Sequence, residues 1–524
     1  MKGGHDFFCL DQPPLARVAA AVPLILDGAL SDLPPDFRTA ADVMPVFRKH
    51  YERSLRLARI GVLPFFLVAS WMVWVWTRRF FGEAPALAAV FFFQGLPLVL
   101  AHSGLATMDV PAAALLAVVL YLELRWIESP STRRALGLGA AAGLAVLTKH
   151  SMVPFVVAGS LPILAAKWIA GRRTERWPAS PLRRRLGHLA LAGAVCLFVA
   201  WAGYRFSLTP PSVPSGRPHS LFRLMGIDRL AADHPRIGDA LNRLVETPMP
   251  FGDLFRGGRL VAAHNAVGHP AVFLGEVRET GWWQFFPVLL AVKTPIPFLI
   301  FLAIGCGALF RRGRENGWKR FSPILASGAI LLLAMTSRID IGLRHLLPIF
   351  PLLSVVAGLG LHDLLRAMKP RTVSISASAV LVLWFVASPA AAHPDYLPYF
   401  NELAGAHPER ITVDSDLDWG QDVKRLFAAL RDLPSGKLWY ACVGCAYLNR
   451  VAELGVPGAP PELEELAAFR RVSGFVAVSE WAIAVKGEME RRRLLRTERG
   501  FDWLRSFPFR RVGASIRLYR VPAR

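Results

Sequence analysis

Cysteine is scarce in this sequence: five in 524 residues, too few for a disulfide framework. Only Cys442 and Cys445 stand close together. They either close a local disulfide or stay as two thiols, and the further ligands that zinc would need nearby are not evident. Glycine-rich phosphate loops of the Walker or Rossmann kind are missing, so no nucleotide cradled by backbone amides is expected. No internal repeat is visible, which argues against a secondary transporter. Acidic residues are outnumbered, 39 against 61 Lys and Arg, for a formal charge of +22. In a soluble protein that surplus would suggest nucleic acid. Here much of it falls in short connections between apolar runs, where it sets topology and meets anionic membrane lipid, and no nucleic-acid partner is expected. An N-terminal targeting run is absent too, since Met1 is followed by the polar Lys2-Gly3-Gly4-His5-Asp6. Either a later span reorients the N-terminus or the true start lies upstream.

What the sequence has in quantity is long apolar runs. Ten lie at 60–77, 85–101, 110–127, 135–148, 152–169, 186–204, 285–310, 321–336, 344–363 and 373–391. Runs such as Val62–Trp76 and Leu186–Tyr204 have the length and polarity of membrane spans. The stretch 135–168 as one helix would be roughly 50 Å long at about 1.5 Å per residue, against a hydrocarbon core of roughly 30 Å. A hairpin turning at Thr148-Lys149-His150-Ser151 is expected instead.

With ten spans, alternate connections separate by charge. One set holds Arg78 and Arg79; Arg125, Arg133 and Arg134; six arginines between 172 and 185; Arg311, Arg312, Arg314, Lys319 and Arg320; and Arg366, Lys369 and Arg371. The other short connections hold only Lys149, Arg338 and Arg344. The first set is read as cytoplasmic. Arg48, Lys49, Arg53, Arg56 and Arg59 disagree, but long loops weigh less in this rule. The expected organisation is a transmembrane domain over 1–391, with outer loops at 1–59 and 205–284, and an outer α/β domain over 392–524.

The outer connections collect polar groups. Asp11 lies in Leu10-Asp11-Gln12-Pro13-Pro14-Leu15, and Asp109 follows His102 in the connection to the third run. Glu276, Arg278 and Glu279 precede Gly281-Trp282-Trp283, where the long loop re-enters the membrane. Lys293 sits inside an apolar run, and Arg344 and His345 open the ninth. Asp109 either caps the third span, with Pro111 in its first turn, or acts chemically. Trp282 and Trp283 read as interfacial anchors. A lysine inside an apolar run is costly unless it snorkels or meets an anion, which marks Lys293 as functional. Cations beside carboxylates at a membrane boundary suit transfer from a lipid phosphate. The cations hold the phosphate, and a carboxylate takes the acceptor hydroxyl's proton.

The tail reads as a small α/β domain. Strands are expected at Ile411–Val413, Lys437–Val443, Gly474–Val478 and Ala514–Tyr519, and helices at Pro461–Arg471 and Glu480–Arg492. The alternating Asp414, Asp416 and Asp418 suggest a calcium loop, but glycine comes one position late and Arg425 stands where the closing Glu belongs. Helix-dipole stabilisation is the other reading of these acids. A divalent cation or acceptor contact is therefore an open expectation for Asp414, Asp416, Asp418 and Glu276.

Five pieces, Asp11–Leu15, His102–Pro111, Gly275–Pro297, Gly342–Pro351 and His393–Asp422, carry a resemblance across most of the chain. The most specific strings are Asn401-Glu402-Leu403-Ala404-Gly405 and Asp416-Leu417-Asp418-Trp419-Gly420-Gln421-Asp422. The chain resembles the dolichyl-phosphate-mannose–protein mannosyltransferase-like family of bacterial GT-C glycosyltransferases, which includes the aminoarabinose transferase acting on lipid A. The resemblance implies a polytopic all-α membrane protein, a GT-C-like helical bundle with a small periplasmic α/β domain, in the bacterial inner membrane. It implies inverting transfer of a sugar from a polyprenyl-phosphate donor to a protein, lipid A or glycan acceptor at the outer face. The family's usual catalytic acid, in the first outer loop after an N-terminal span, has no counterpart here, and Gln12 stands where many relatives have His. That leaves Asp109 and Asp11 as catalytic candidates. By the same matching Lys293, Arg344, His345 and Arg278 are donor-phosphate contacts. The alternatives are a lipid-linked sugar transporter or flippase and a catalytically degenerate relative.

Overall fold

The computed structural model describes residues 12–31, 33, 50–173, 181–211, 233–311, 317–367, 370–431, 438–442 and 463–523. Helix α1, Pro14–Leu26, lies ahead of the bundle and starts with two prolines, which suit a first helical turn because it needs no N–H donors. The bundle follows: α2 Tyr51–Ile60, α3 Leu63–Phe81, α4 Glu83–Gly95, α5 Pro97–Ser103, α6 Asp109–Glu128, α7 Thr132–Val146, α8 Met152–Arg173 and α9 Leu182–Gly203. The excursion over 205–284 contains, among the described residues, β1 Leu208–Thr209, α10 Pro235–Glu246, β2 Met249–Pro250, α11 Gly252–Val267 and the hairpin β3 Ala271–Phe273 with β4 Glu276–Arg278. The chain then re-enters the bundle as α12 Phe285–Val292, α13 Ile296–Arg311, α14 Ser322–Ala334, a 3-10 turn Leu343–Ile349 running into α15 Phe350–Ala367, and α16 Arg371–Ala392.

All ten apolar runs are mainly helical, with breaks inside the runs at Leu96 and at Lys293. Among the described residues six helices are each long and apolar enough to cross a membrane, and two bent pairs raise the number to eight. The pairs are α4 with α5, bent by 64°, and α12 with α13, bent by 111°. Helices α7 and α14, with 15 and 13 residues, reach only about 22 and 20 Å at 1.5 Å per residue. The apolar stretch 135–169 breaks between Val146 and Met152, at the turn read from the sequence.

The bundle packs through aromatic side chains and small residues. Phe92 of α4 meets Phe298 and Phe301 of α13 and Phe385 of α16. Helices α13 and α15 approach so closely that a Cβ on Gly360 would sit 1.8 Å from the Phe301 carbonyl oxygen. Glycine there lets two backbones meet where lipid supplies no hydrophobic drive for association.

One end of the bundle gathers cations around acids: Arg79, Arg125 and Lys319 around Glu128, and Arg311 on Asp363. At the other end the Lys149 turn, the excursion, the 335–345 loop and the tail meet. Leu15 N donates to Leu147 O, His269 N to Arg338 O and Leu274 N to Ile411 O. The described residues of the arginine-rich connections and those of the connections read as outer thus lie at opposite ends.

The tail begins with irregular chain and two short helices, α17 Asp414–Leu417 and α18 Val423–Arg431. A five-stranded sheet follows in the order β6-β5-β7-β9-β8, from β5 Leu438–Ala441, β6 Leu463–Glu465, β7 Gly474–Ser479, β8 Phe509–Val512 and β9 Ile516–Val521. Strand β5 runs parallel to β6 and β7, and β9 runs antiparallel to β7 and β8. Two readings of the tail are corrected. Residues 463–465, expected in a helix, form an edge strand in register with Leu438–Tyr440, because backbone pairing overrides helix propensity. Residues 411–413 are not a strand; Val413 instead buries its side chain with Val272, Val277, Leu417 and Val485. The run 480–492 is helical, with a π-turn at Ala482–Lys486. Cys442 is disulfide-bonded, and Cys445 lies outside the described residues.

Candidate functional site

Asp109 is the first residue of α6, and its N-cap is Met108 without a side-chain capping bond. The carboxylate is fully buried and does not cap the helix. It accepts a 2.8 Å hydrogen bond from Lys149 Nζ and lies 3.4 Å from a terminal guanidinium nitrogen of Arg344. Lys149 belongs to the turn between α7 and α8, and Arg344 follows Gly342 at the mouth of the 3-10 turn. Burial pushes the Lys149 ammonium down from its usual value, and the adjacent Asp109 charge opposes that shift.

Two histidines close the cluster. His102 Nδ1 sits 4.0 Å from Asp109 Oδ2, beyond hydrogen-bond range, and has no hydrogen-bond partner among the described residues. His345 Nε2 is likewise buried without one, within reach of the charges on Lys149, Arg344 and Asp109. Each histidine therefore keeps a ring nitrogen free to take a further hydrogen bond.

The tail supplies the far wall. Ser415 Oγ accepts from Arg344 Nε at 2.9 Å, and the Trp419 ring lies under the guanidinium at 4.4 Å. His102 also packs on Trp419, with ring centroids 5.8 Å apart. Both oxygens of Asp416 accept from Leu343 N at 3.1 Å, which fastens the loop carrying Arg344. Gly342 takes φ +147° here, and a Cβ would sit 2.5 Å from Ser415 Oγ, so a side chain is excluded on both counts.

The structure scatters the other candidates. Lys293 sits at the sharp break between α12 and α13, where Asn401 Nδ2 donates to Ala291 O and Thr294 O. The Lys293 ammonium donates to Leu397 O at 2.9 Å and Asp416 O at 2.5 Å, lies 3.6 Å from Asp416 Oδ1, and rests over Phe400. Arg278 pairs with Glu276 and covers Trp282 at the surface, apart from the Asp109 cluster. The three alternating acids do not converge. Asp416 holds Leu343, Asp414 receives its neighbour Ser415 N and lies 3.9 Å from His269, and Asp418 faces Gly420 N at 3.5 Å. Among the described residues no group of three or more His, Cys, Asp or Glu could hold a metal ion. Asp11 lies outside the described residues.

Lys149, His102, Ser415 and Trp419 are the participants that sequence reasoning missed. Lys149 counted only toward topology, although it shares its turn with no other Lys or Arg. Trp419 stood inside the most specific string without a role.

Residues 45–204 match the dolichyl-phosphate-mannose-protein mannosyltransferase family. The matched segment contains His102, Asp109 and Lys149, whereas Arg344, Ser415 and Trp419 lie beyond it. Among solved structures the chain is similar to ArnT from Cupriavidus metallidurans bound to undecaprenyl phosphate, at 14% identity over 98% of this chain and 90% of that one, with a TM-score of 0.44. The same protein in the apo state gives 13% identity over 98% and 89%, with a TM-score of 0.38. An Archaeoglobus fulgidus oligosaccharyltransferase in complex with Zn and sulfate gives 12% identity over 90% of this chain and 60% of that one, with a TM-score of 0.44. Comparison with curated protein sequences finds no match.

Proposed function

We propose that the chain is a membrane glycosyltransferase that moves a sugar from a polyprenyl-phosphate donor to an acceptor hydroxyl. The observation that carries this reading is the buried Asp109 carboxylate between Lys149 and Arg344. With Lys149 and Arg344 both charged, two cations and one carboxylate leave a net charge of +1. A polyprenyl-phosphate sugar is a phosphodiester with one negative charge, so its phosphate matches that surplus. As the phosphate takes the cations, Asp109 is freed to accept the proton of an acceptor hydroxyl. The hydroxyl oxygen bonds to the anomeric carbon from the face opposite the phosphate, the bond to the phosphate oxygen breaks, and polyprenyl phosphate leaves with its charge on Lys149 and Arg344. The family match over residues 45–204 supports the transferase class.

The arginine-rich connections at the opposite end support an outward-facing site in the inner membrane, with 392–524 as the external domain. In this reading Lys293 is a structural tie between bundle and tail, because Leu397 O, Asp416 O and the Asp416 carboxylate already occupy its donors. The acceptor class is protein, lipid A or another glycan.

The test uses full-length protein in nanodiscs. Labelled polyprenyl-phosphate mannose, glucose and aminoarabinose are each supplied with cell-envelope extract. Transfer of label from at least one donor, abolished by Asp109→Asn, is the expected result. Failure of the parent protein both to transfer label and to bind undecaprenyl phosphate overturns the reading.

A further inference from the structure

The residues that orient Arg344 come from the tail, not from the helical bundle. Arg344 leaves a loop whose Gly342 has no side chain, and the described contacts of its guanidinium are three. Nε donates to Ser415 Oγ at 2.9 Å, the ring face of Trp419 lies 4.4 Å from the central carbon, and one terminal nitrogen is 3.4 Å from Asp109. The first two fix the plane and the direction of the group, while the third is long for a hydrogen bond and holds it weakly. The clamp is itself braced. Ser415 N donates to Ile341 O, Ser415 Oγ also bonds that carbonyl, and Asp416 holds Leu343 N. Behind it, Asp422 accepts from Ala514 N, Ser515 N and Ser515 Oγ, so the segment is docked on the β8–β9 turn of the sheet. A planar guanidinium on an aromatic face loses little freedom on binding an anion, because its plane is already set.

We propose that Ser415 and Trp419 are positioning residues that hold the Arg344 guanidinium beside Asp109, so that the C-terminal domain completes the donor-phosphate site. The proposal rests on the donor reading above for its function, but its geometry is testable alone. Trp419 is only half-buried, which makes its replacement tolerable to the fold. The Ser415→Ala change removes one oxygen.

Two measurements on the full-length protein separate the questions. The first follows phenylglyoxal modification of Arg344 by peptide mass spectrometry. Trp419→Leu and Ser415→Ala should each quicken it severalfold, and Trp419→Phe, which keeps an aromatic face, should restore the parental rate. Unchanged rates in both disrupted variants overturn the proposal whatever the protein binds. The second measures affinity for undecaprenyl phosphate. Trp419→Leu should weaken it by about five- to thirtyfold, the span between an exposed and a desolvated cation–π contact. Adding Trp419→Leu to Arg344→Ala should weaken it no further, and full additivity would show that Trp419 acts elsewhere. Faster modification without any parental binding of undecaprenyl phosphate would keep the positioning role and remove the donor reading.

Discussion

Replacing Lys149 by Met keeps the length of the side chain and removes the charge nearest to Asp109. At an effective dielectric of about 20, an ion pair at 2.8 Å is worth about 6 kcal/mol and one at 3.4 Å about 5. Desolvation of the buried carboxylate offsets most of both. What remains measurable is the penalty for stranding one partner, about 3–5 kcal/mol for a buried pair. Arg344 still faces Asp109 after the change, so Lys149→Met should lie at the lower end, about 3 kcal/mol. Asp109→Asn leaves two cations together and should cost a similar amount, about 2–3 kcal/mol, because Lys149 retains partial access to water. The double variant strands no carboxylate. It should therefore cost about 3 kcal/mol, roughly half the sum, a coupling far above the few tenths seen between independent sites. Equilibrium unfolding in mixed micelles, followed by tryptophan fluorescence and checked for reversibility, gives all three values. Additivity within about 0.5 kcal/mol would refute the pairing at the centre of the site.

Two further predictions concern the seam between tail and bundle. Burial pushes the carboxyls of Asp340 and Asp414 up to about 7 and that of Asp418 up to about 6, from 3.8. Between 3.8 and 7 these three carboxyls bind more protons in the folded protein than in the unfolded chain, so their contribution to stability falls as pH rises toward 7. Thermal melting across about pH 5 to 8 should show Asp340→Asn with Asp414→Asn giving a less negative slope of stability against pH than the parent; an unchanged slope counts against buried acids at the seam. Gly342→Ala places a Cβ 2.5 Å from Ser415 Oγ at φ +147°. It should cost about 1–3 kcal/mol and speed proteolysis after residue 392, whereas parental protease resistance would mean that the loop and tail are not locked together.

Much of the fold was legible because hydrophobic length and period are local properties. Each of the ten apolar runs is mainly helical, and the 135–169 stretch breaks where its length demanded. Residues 463–465 were misread because an edge strand depends on a neighbour, here Leu438–Tyr440, that local propensity does not contain. The site divides in the same way. Asp109 and Arg344 stood out as charged residues at the mouths of apolar runs, and the structure brings them together across 235 positions. Lys293 stood out for the same reason, yet its charge is spent on Asp416 and two carbonyls.

By itself, then, the sequence determined which segments are apolar helices and which charges border them, since both follow from transfer of side chains between water and hydrocarbon. Only the tertiary structure decided that Lys149 and Arg344 share one carboxylate, that Trp419 lies beneath the guanidinium and that Lys293 faces inward. Those outcomes depend on distances of a few ångströms between segments far apart in the chain. Such distances are set by how helices pack and where the tail docks, and Coulombic and ring contacts decay too steeply to be read without them.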